Sequence, residues 1–509
     1  KVRDEEVGIE YWLHHGSVPH LISESWGEGG ERRGGSHQLI YAIGAGRLDR
    51  SYVARVGDLE FFAPLEVLSA SDGGERRAVL APGHEMISGL RFRTPITNEC
   101  LVCHTDHPPP IDYPANLNSR DWTPSGISCA ACHAQGEEHA QFRGGAREGE
   151  DPVVAIDELD LAGRISLCAR CHLQGDARIP LSTSRSLPEP GEDFLAEWAI
   201  YVPREADEDV AFVSQVERML ASVCFTRSLE GDALPLECTT CHDPHHFIEG
   251  TDERARVREA CMRCHVGGEA DCSLPKGTKE SRDCVDCHMP AVGVFDVSEV
   301  IIHDHKIARR PASPASYSPI RVRHAREGDV TRYRWPWEEP WETDPGLEMM
   351  ARLIAGGGER AVEMAQAEPG ALSRRLPTYH HLRGVLLERS GELDEVRRSY
   401  KRALILDPES GESTVNLSLV LGRMGRPQEG IALLDELIER HPFAEGALRN
   451  RAVLRASMGD AHGFREDLEA AHSILPRAEN ARALSAAYAE LGEEEFTKLW
   501  RVRARNLAP

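Results

Sequence analysis

Cys238-Thr-Thr-Cys-His-Asp-Pro-His245 is the stretch on which the reading of this chain turns. Its first five residues are one of six Cys-x-x-Cys-His pentads between residues 100 and 288. They are Cys100/Cys103/His104, Cys129/Cys132/His133, Cys168/Cys171/His172, Cys238/Cys241/His242, Cys261/Cys264/His265 and Cys284/Cys287/His288. The pattern is the attachment signature of a c-type haem. Two intervening residues let both sulfurs reach the two vinyl groups on one porphyrin edge, and the adjacent histidine falls over the iron as proximal ligand. Zinc needs cysteine pairs grouped in space and makes no demand for a histidine beside the second cysteine. All six pairs carry that histidine, and together they use twelve of the chain's 14 cysteines. Six covalently bound c-type haems are the expectation.

The second axial face of each iron decides function, since a second histidine makes a low-spin carrier and an empty face a potential catalyst. Histidines outside the motifs are numerous enough to fill every such face, which favours bis-histidine ligation. His139 follows His133 by six residues and His245 follows His242 by three. Both are too close to fold back over their own haem and well placed for a neighbouring one. His305, in His303-Asp-His-Lys-Ile307, is the third candidate, with His15, His107 and His84 behind it. Cys224 and Cys272 remain outside the motifs, and in an oxidising compartment two leftover cysteines are candidates for a disulfide.

Outward from the motifs, the 509 residues read as an α+β multidomain chain. Residues 1–95 hold runs of strand character, 37–43, 51–56, 59–63 and 78–80, punctuated by glycine, and are expected to form a small antiparallel β domain. Residues 96–306 are the hexahaem region, read as mostly irregular and helical. Apolar side chains there look too sparse to fill a core without porphyrins, and one helix is expected over 209–224. Residues 307–344, with Trp335-Pro-Trp-Glu-Glu-Pro-Trp341, read as a proline- and tryptophan-rich linker strap. In residues 345–509, Gly391, Gly425 and Gly459 lie 34 apart, as do Pro408, Pro442 and Pro476. A helix, a glycine turn, a second helix and a closing proline on that period is the tetratricopeptide (TPR) pattern. The repeats are drawn as 377–410, 411–444 and 445–478, with a terminal pair at 479–509 and a degenerate leading one at 345–376.

The net charge of -24 argues against nucleic acid as a partner, because phosphate binding needs a basic face. No apolar run approaches the roughly 20 residues of a membrane span, and no signal peptide opens the sequence given. Covalent haem attachment takes place outside the bacterial cytoplasm, so a periplasmic or extracellular location, reached by export, is expected.

With Cys129-Ala-Ala-Cys-His133, Cys168-Ala-Arg-Cys-His-Leu-Gln174, Cys238-Thr-Thr-Cys-His-Asp-Pro-His245, Cys284-Val-Asp-Cys-His-Met-Pro290 and the Tyr41-Ala-Ile-Gly44 segment in view, the chain resembles bacterial multihaem cytochromes c with C-terminal tetratricopeptide repeats. The haem segment is also distantly similar to the superfamily of hydroxylamine oxidoreductase and pentahaem nitrite reductase. That likeness implies closely stacked haems and electron transfer, not catalysis. The expected function is electron transfer through six haems to redox partner proteins, with the repeats as a partner groove or a self-association surface, up to a conductive extracellular filament. The alternatives are a reductase or oxidase of a small nitrogen or sulfur compound at one five-coordinate haem, and an assembly scaffold built on the repeats.

Overall fold

The structure is a computed structural model that describes residues 1–508 apart from 15–19, 28–32, 45–48, 70–75, 83, 85–89, 106–112, 118–121, 123–124, 134, 154, 183–186, 205–209, 231–234, 246–250, 266–283, 295–296, 298–299 and 309–329. The chain folds as two compact units: residues 1–127 with 374–509, and residues 128–373. The first Cys-x-x-Cys-His motif therefore packs with the β domain, and residues 345–373 belong with the other five motifs rather than with the later repeats.

In the first unit, β1 (Val2–Asp4), β2 (Ile9–His14), β3 (Leu21–Trp26), β4 (Arg33–Ile43), β5 (Ser51–Val56), β6 (Leu59–Leu68) and β7 (Arg77–Leu80) form one antiparallel sheet in chain order. Three of these strands, β1 to β3, are additional to the runs read from the sequence. Burial alternates along β3, as expected for a strand with one covered face, whereas β6 is buried along nearly its whole length. Gly34 and Gly35 lie inside β4. A Cβ on Gly34 would come within 1.9 Å of the Glu24 carbonyl, so glycine there permits close approach of β3.

The repeats begin at Pro377. Helix pairs Pro377–Leu387/Leu393–Leu406, Gly411–Arg423/Pro427–Arg440, Glu445–Ser457/Ala461–Ile474 and Ala478–Glu490/Glu494–Leu507 follow one another. Gly391, Gly425, Gly459 and Gly492 join the two helices of each pair with φ between +74° and +80°. Nothing lies within 4 Å of where their Cβ atoms would be, so left-handed backbone alone selects glycine. This is a TPR solenoid. Leu448, Ala471, Ile474 and Leu475 of its third repeat share a core with Ile9, Tyr11, Ile22, Phe61 and Leu65 of the sheet.

The second unit carries β8 (Ala177–Pro180), β9 (Trp198–Pro203), β10 (Ala291–Gly293), β11 (Ile301–His303) and β12 (Val330–Arg332). β12, β9 and β8 make a three-stranded antiparallel sheet, and β10 pairs with β11. Contrary to the expectation of a region short of apolar residues, Ile165, Ala169, Leu173, Phe194, Trp198, Ile200, Val216, Leu220, Phe225 and Trp335 form a polypeptide core. Trp335 of the strap is fully buried, and its Nε1 donates to Asp193 Oδ1 at 2.9 Å. The helix expected over 209–224 is instead two, Gln215–Leu220 and Val223–Ser228. The break comes because Ser222 turns out of the helix and its hydroxyl accepts the Phe225 N–H, capping the second. Among the described residues no helix is long and apolar enough to cross a membrane.

Asp344 ties together the helical hairpin Pro345–Ile354/Gly358–Met364. Its Oδ1 accepts the N–H groups of Gly346 and Leu347 (3.0 and 3.1 Å) and the Ser373 hydroxyl (2.5 Å), while Oδ2 accepts the N–H groups of Leu372 and Ser373 (3.0 and 3.1 Å). Burial pushes this carboxyl up, but the hydrogen bonds outweigh it and hold the pKa below the ordinary value. A depressed folded-state pKa contributes stability above the unfolded value of about 3.9 and loses it as pH falls further. Asp344→Ala is expected to cost about 1–3 kcal/mol at neutral pH. In urea titrations run at a series of pH values, the gap to wild type should narrow below about pH 4. A gap independent of pH would contradict this account.

Candidate functional site

All six motifs place their first cysteine in a helical turn. The turns are Asn98–Leu101, Cys129–Ala131, Leu161–His172, Cys238–Cys241, Thr251–Met262 and Cys284–His288. A helical turn brings side chains three apart to one face, and in Leu161–His172, Cys238–Cys241 and Cys284–His288 both cysteines of the pair lie within the helix. In three motifs the histidine N–H closes the turn on the first cysteine's carbonyl: His133 on Cys129 (2.8 Å), His242 on Cys238 (2.9 Å) and His265 on Cys261 (3.0 Å).

The twelve cysteines expected to carry thioethers are Cys100, Cys103, Cys129, Cys132, Cys168, Cys171, Cys238, Cys241, Cys261, Cys264, Cys284 and Cys287. Attachment at these cysteines is a proposal, taken up below. Their presentation is uneven. Cys129 and Cys264 are exposed, whereas Cys103 and Cys171 are half-buried like most of the others. Cys287 is the most covered, at 8% exposed. No disulfide joins any of the described cysteines. Cys272 lies outside the described residues, and with it the pairing expected for Cys224.

Two motif histidines face a second imidazole. The ring centroids of His133 and His245 are 6.0 Å apart with planes 14° from parallel, and those of His242 and His305 are 6.1 Å apart with planes 24° from parallel. Metal–imidazole bonds of about 2 Å on either side, plus the half-width of each ring, separate trans ligands by about 6 Å. Burial, followed by the neighbouring imidazole, lowers the pKa of both His133 and His305. That favours the neutral, metal-binding form.

Several imidazoles commit Nδ1 to an oxygen, the arrangement by which a second partner fixes the tautomer and aims Nε2 of a ligand histidine. His172 Nδ1 meets Gln215 Oε1 at 3.2 Å, His288 Nδ1 the Ala308 carbonyl at 2.6 Å, His303 Nδ1 the Met289 carbonyl at 2.7 Å, and His305 Nδ1 the His303 carbonyl at 3.0 Å. His139 gives Nδ1 to Asp151 Oδ1 at 2.6 Å and lies near enough to His133 to help lower its pKa. His303 was not singled out from the sequence, although its place in His303-Asp-His305 was visible.

The remaining candidates fare differently. His84 is buried, and its Nε2 donates to the Arg91 carbonyl at 2.6 Å, so the nitrogen that would meet an iron is engaged in holding a loop. His15 and His107 lie outside the described residues. His104 of the first motif stands near Asp49, and burial lowers its pKa.

The cysteines of different motifs are neighbours. Cys168 and Cys238, 70 residues apart, lie near each other, and Cys132 lies near Cys168. Cys224 sits close to both Cys241 and Cys264, its thiol pushed up by burial. A raised thiol pKa keeps it protonated and unreactive as a nucleophile. Among the described residues no three His, Cys, Asp or Glu side chains converge as an all-protein metal site requires.

No family model matches the chain. It is 30% identical over 128 residues to FK506-binding protein-like of Mus musculus, a match covering 24% of this chain and 36% of that protein. The chain thus spans about a third of the length of that curated relative. Among solved structures, it is similar to MamA AMB-1 (16% identity, TM-score 0.28, 32% of this chain and 96% of the other) and to MamA from Desulfovibrio magneticus RS-1 (13%, 0.29, 32% and 92%). It is also similar to YrrB, described as a TPR protein with an unusual peptide-binding site (17%, 0.28, 32% and 85%).

Proposed function

We propose that the chain is a multihaem c-type cytochrome that carries electrons between redox partners, with its TPR solenoid as the surface for a protein partner or a further copy. The observation that supports this best is the pair of near-parallel imidazole couples, His133/His245 and His242/His305, each spaced for one metal between its rings. A haem held there supplies one-electron chemistry at its iron. The chain's part is attachment through the six cysteine pairs, axial ligation by His133, His242 and their partners, and orientation of the imidazoles through Nδ1. Neighbouring motifs such as those of Cys168 and Cys238 would hold successive groups near one another. Export to the periplasm or beyond belongs to the same proposal, as the compartment in which thioethers form.

The second reading is an assembly scaffold in which the repeats are the main function. The regular run of helix pairs from Pro377 to Leu507 supports it, because such solenoids present extended binding surfaces. The two readings separate on ligand variants. His245→Ala and His305→Ala are each expected to convert one haem of six to a high-spin ferric species that added imidazole returns to low spin. Unchanged spectra in both variants, in a protein that carries haem, would overturn the pairing. A protein without haem that still bound its partner would leave the scaffold.

A further inference from the structure

His305 stands opposite His242, and the residue before it is anchored with unusual firmness. Arg218 grips Asp304 with two parallel bonds, Nε to Oδ1 at 2.5 Å and Nη2 to Oδ2 at 2.6 Å. Both residues are only 9% exposed. Asp304 Oδ1 also accepts the Lys306 N–H at 2.9 Å, and the Asp304 N–H donates to the Pro290 carbonyl at 3.0 Å. The turn from His303 to Lys306 is thereby pinned at its centre.

A buried ion pair is weak evidence for stability, since removing two charges from water costs about what their attraction returns. What a bidentate arginine–carboxylate pair does supply is direction, because its fork accepts a carboxylate in one plane and one orientation. Arg218 lies on the short helix Gln215–Leu220, three residues beyond Gln215, whose side chain receives Nδ1 of His172. One helix thus reaches two imidazoles that are 133 residues apart in sequence. His172 is close enough to His305 to act on it electrostatically.

We propose that Arg218 is a positioning residue for axial ligation. Through Asp304 it holds His305 across from His242, and with Gln215 it makes the helix Gln215–Leu220 the element that sets the ligands of two neighbouring haems together. This rests on the cytochrome reading above. An axial imidazole must be held to within about 0.5 Å of its productive place, and a rigid charged fork does so where a flexible turn would not.

The test compares Arg218→Met with the double variant Arg218→Met/Asp304→Asn, which leaves no unpaired buried charge and so guards against simple unfolding. Each is made in the full chain, with intact mass giving the haem count and optical and electron paramagnetic resonance spectra giving spin state. The expected result is six haems attached in the double variant, one of the six high-spin, and recovery of the low-spin spectrum on adding imidazole. A double variant with six haems, all low-spin, overturns the proposal even if its melting temperature falls, because a merely structural role moves stability and not ligation. Absence of haem from the wild-type chain would instead remove the cytochrome reading itself, and this inference with it.

Discussion

Arg91→Ala is expected to destabilise the unit formed by residues 1–127 and 374–509 by about 3–5 kcal/mol, the usual cost of breaking a buried ion pair from one side. Glu24, on β3, is 3% exposed. Arg91 Nε donates to its Oε2 at 2.8 Å and Nη2 to its Oε1. Burial alone would raise the Glu24 pKa, yet the bonds from Arg91 and His37 outweigh it and hold the carboxyl below the ordinary range. Removal of the guanidinium leaves that charge without its main partner. It also removes the contact with the Trp26 ring, 4.6 Å to the centroid, and the 2.9 Å bond from Nη1 to the Leu507 carbonyl at the end of the last repeat helix. Arg91 adopts φ +50°, so alanine gains nothing from the backbone. Urea unfolding followed by tryptophan fluorescence measures the loss. A change below about 1 kcal/mol would show that the pair only breaks even with solvation.

Gly57→Val is expected to cost more than about 3 kcal/mol in the same unit. Gly57 turns β5 into β6 at φ +64°, and its Cβ would lie 1.9 Å from the Ile474 carbonyl oxygen. That oxygen already accepts the Asp58 N–H at 2.9 Å, so the hairpin seats its backbone directly on the end of helix Ala461–Ile474. Valine adds both left-handed strain and a clash against backbone, which cannot yield as a side chain end can. Gly425→Val is the control. It shares the positive φ but has open space around it, so only the conformational cost of about 1–2 kcal/mol applies. Equal losses at the two positions would mean that the sheet and the third repeat do not depend on each other.

Their shared core also bears on how the repeats can be studied. Cutting the chain near residue 345 to isolate them would strip Leu448, Ile474 and Leu475 from the sheet's core and divide the second unit at Asp344. Point variants on exposed repeat residues avoid that.

What the sequence disclosed divides along the range of the interactions involved. Repeat helices were legible because a 34-residue period forces a glycine at each inner turn, and left-handed backbone there leaves little choice of residue. Strands β4 to β7 were legible from apolar runs of strand character. β3 was not, because its Glu24 is tolerated inside mainly through Arg91, 67 residues away. The role of Gly34 was hidden for a related reason, since its glycine answers to the Glu24 backbone across the sheet. The haem motifs are local and could be quoted directly. How far each sulfur is covered is not local, and the burial of Cys287 beside the half-buried Cys103 and Cys171 carried no signal in the pentads. The imidazole pairs are likewise distant, since His133 meets a residue 112 positions later, so the sequence supplied candidates without pairs. Gln215, Arg218 and Asp151 carried no local signal, because what gives each a role is a partner brought near by folding.

The most direct measurement is the intact mass of the full chain, produced by export in a host able to attach c-type haem, together with alkylation of its remaining thiols. The account predicts the polypeptide mass plus six haem groups, with only Cys224 and Cys272 open to alkylation or joined to each other. A chain at its bare polypeptide mass, with the twelve motif thiols all alkylated, would contradict it.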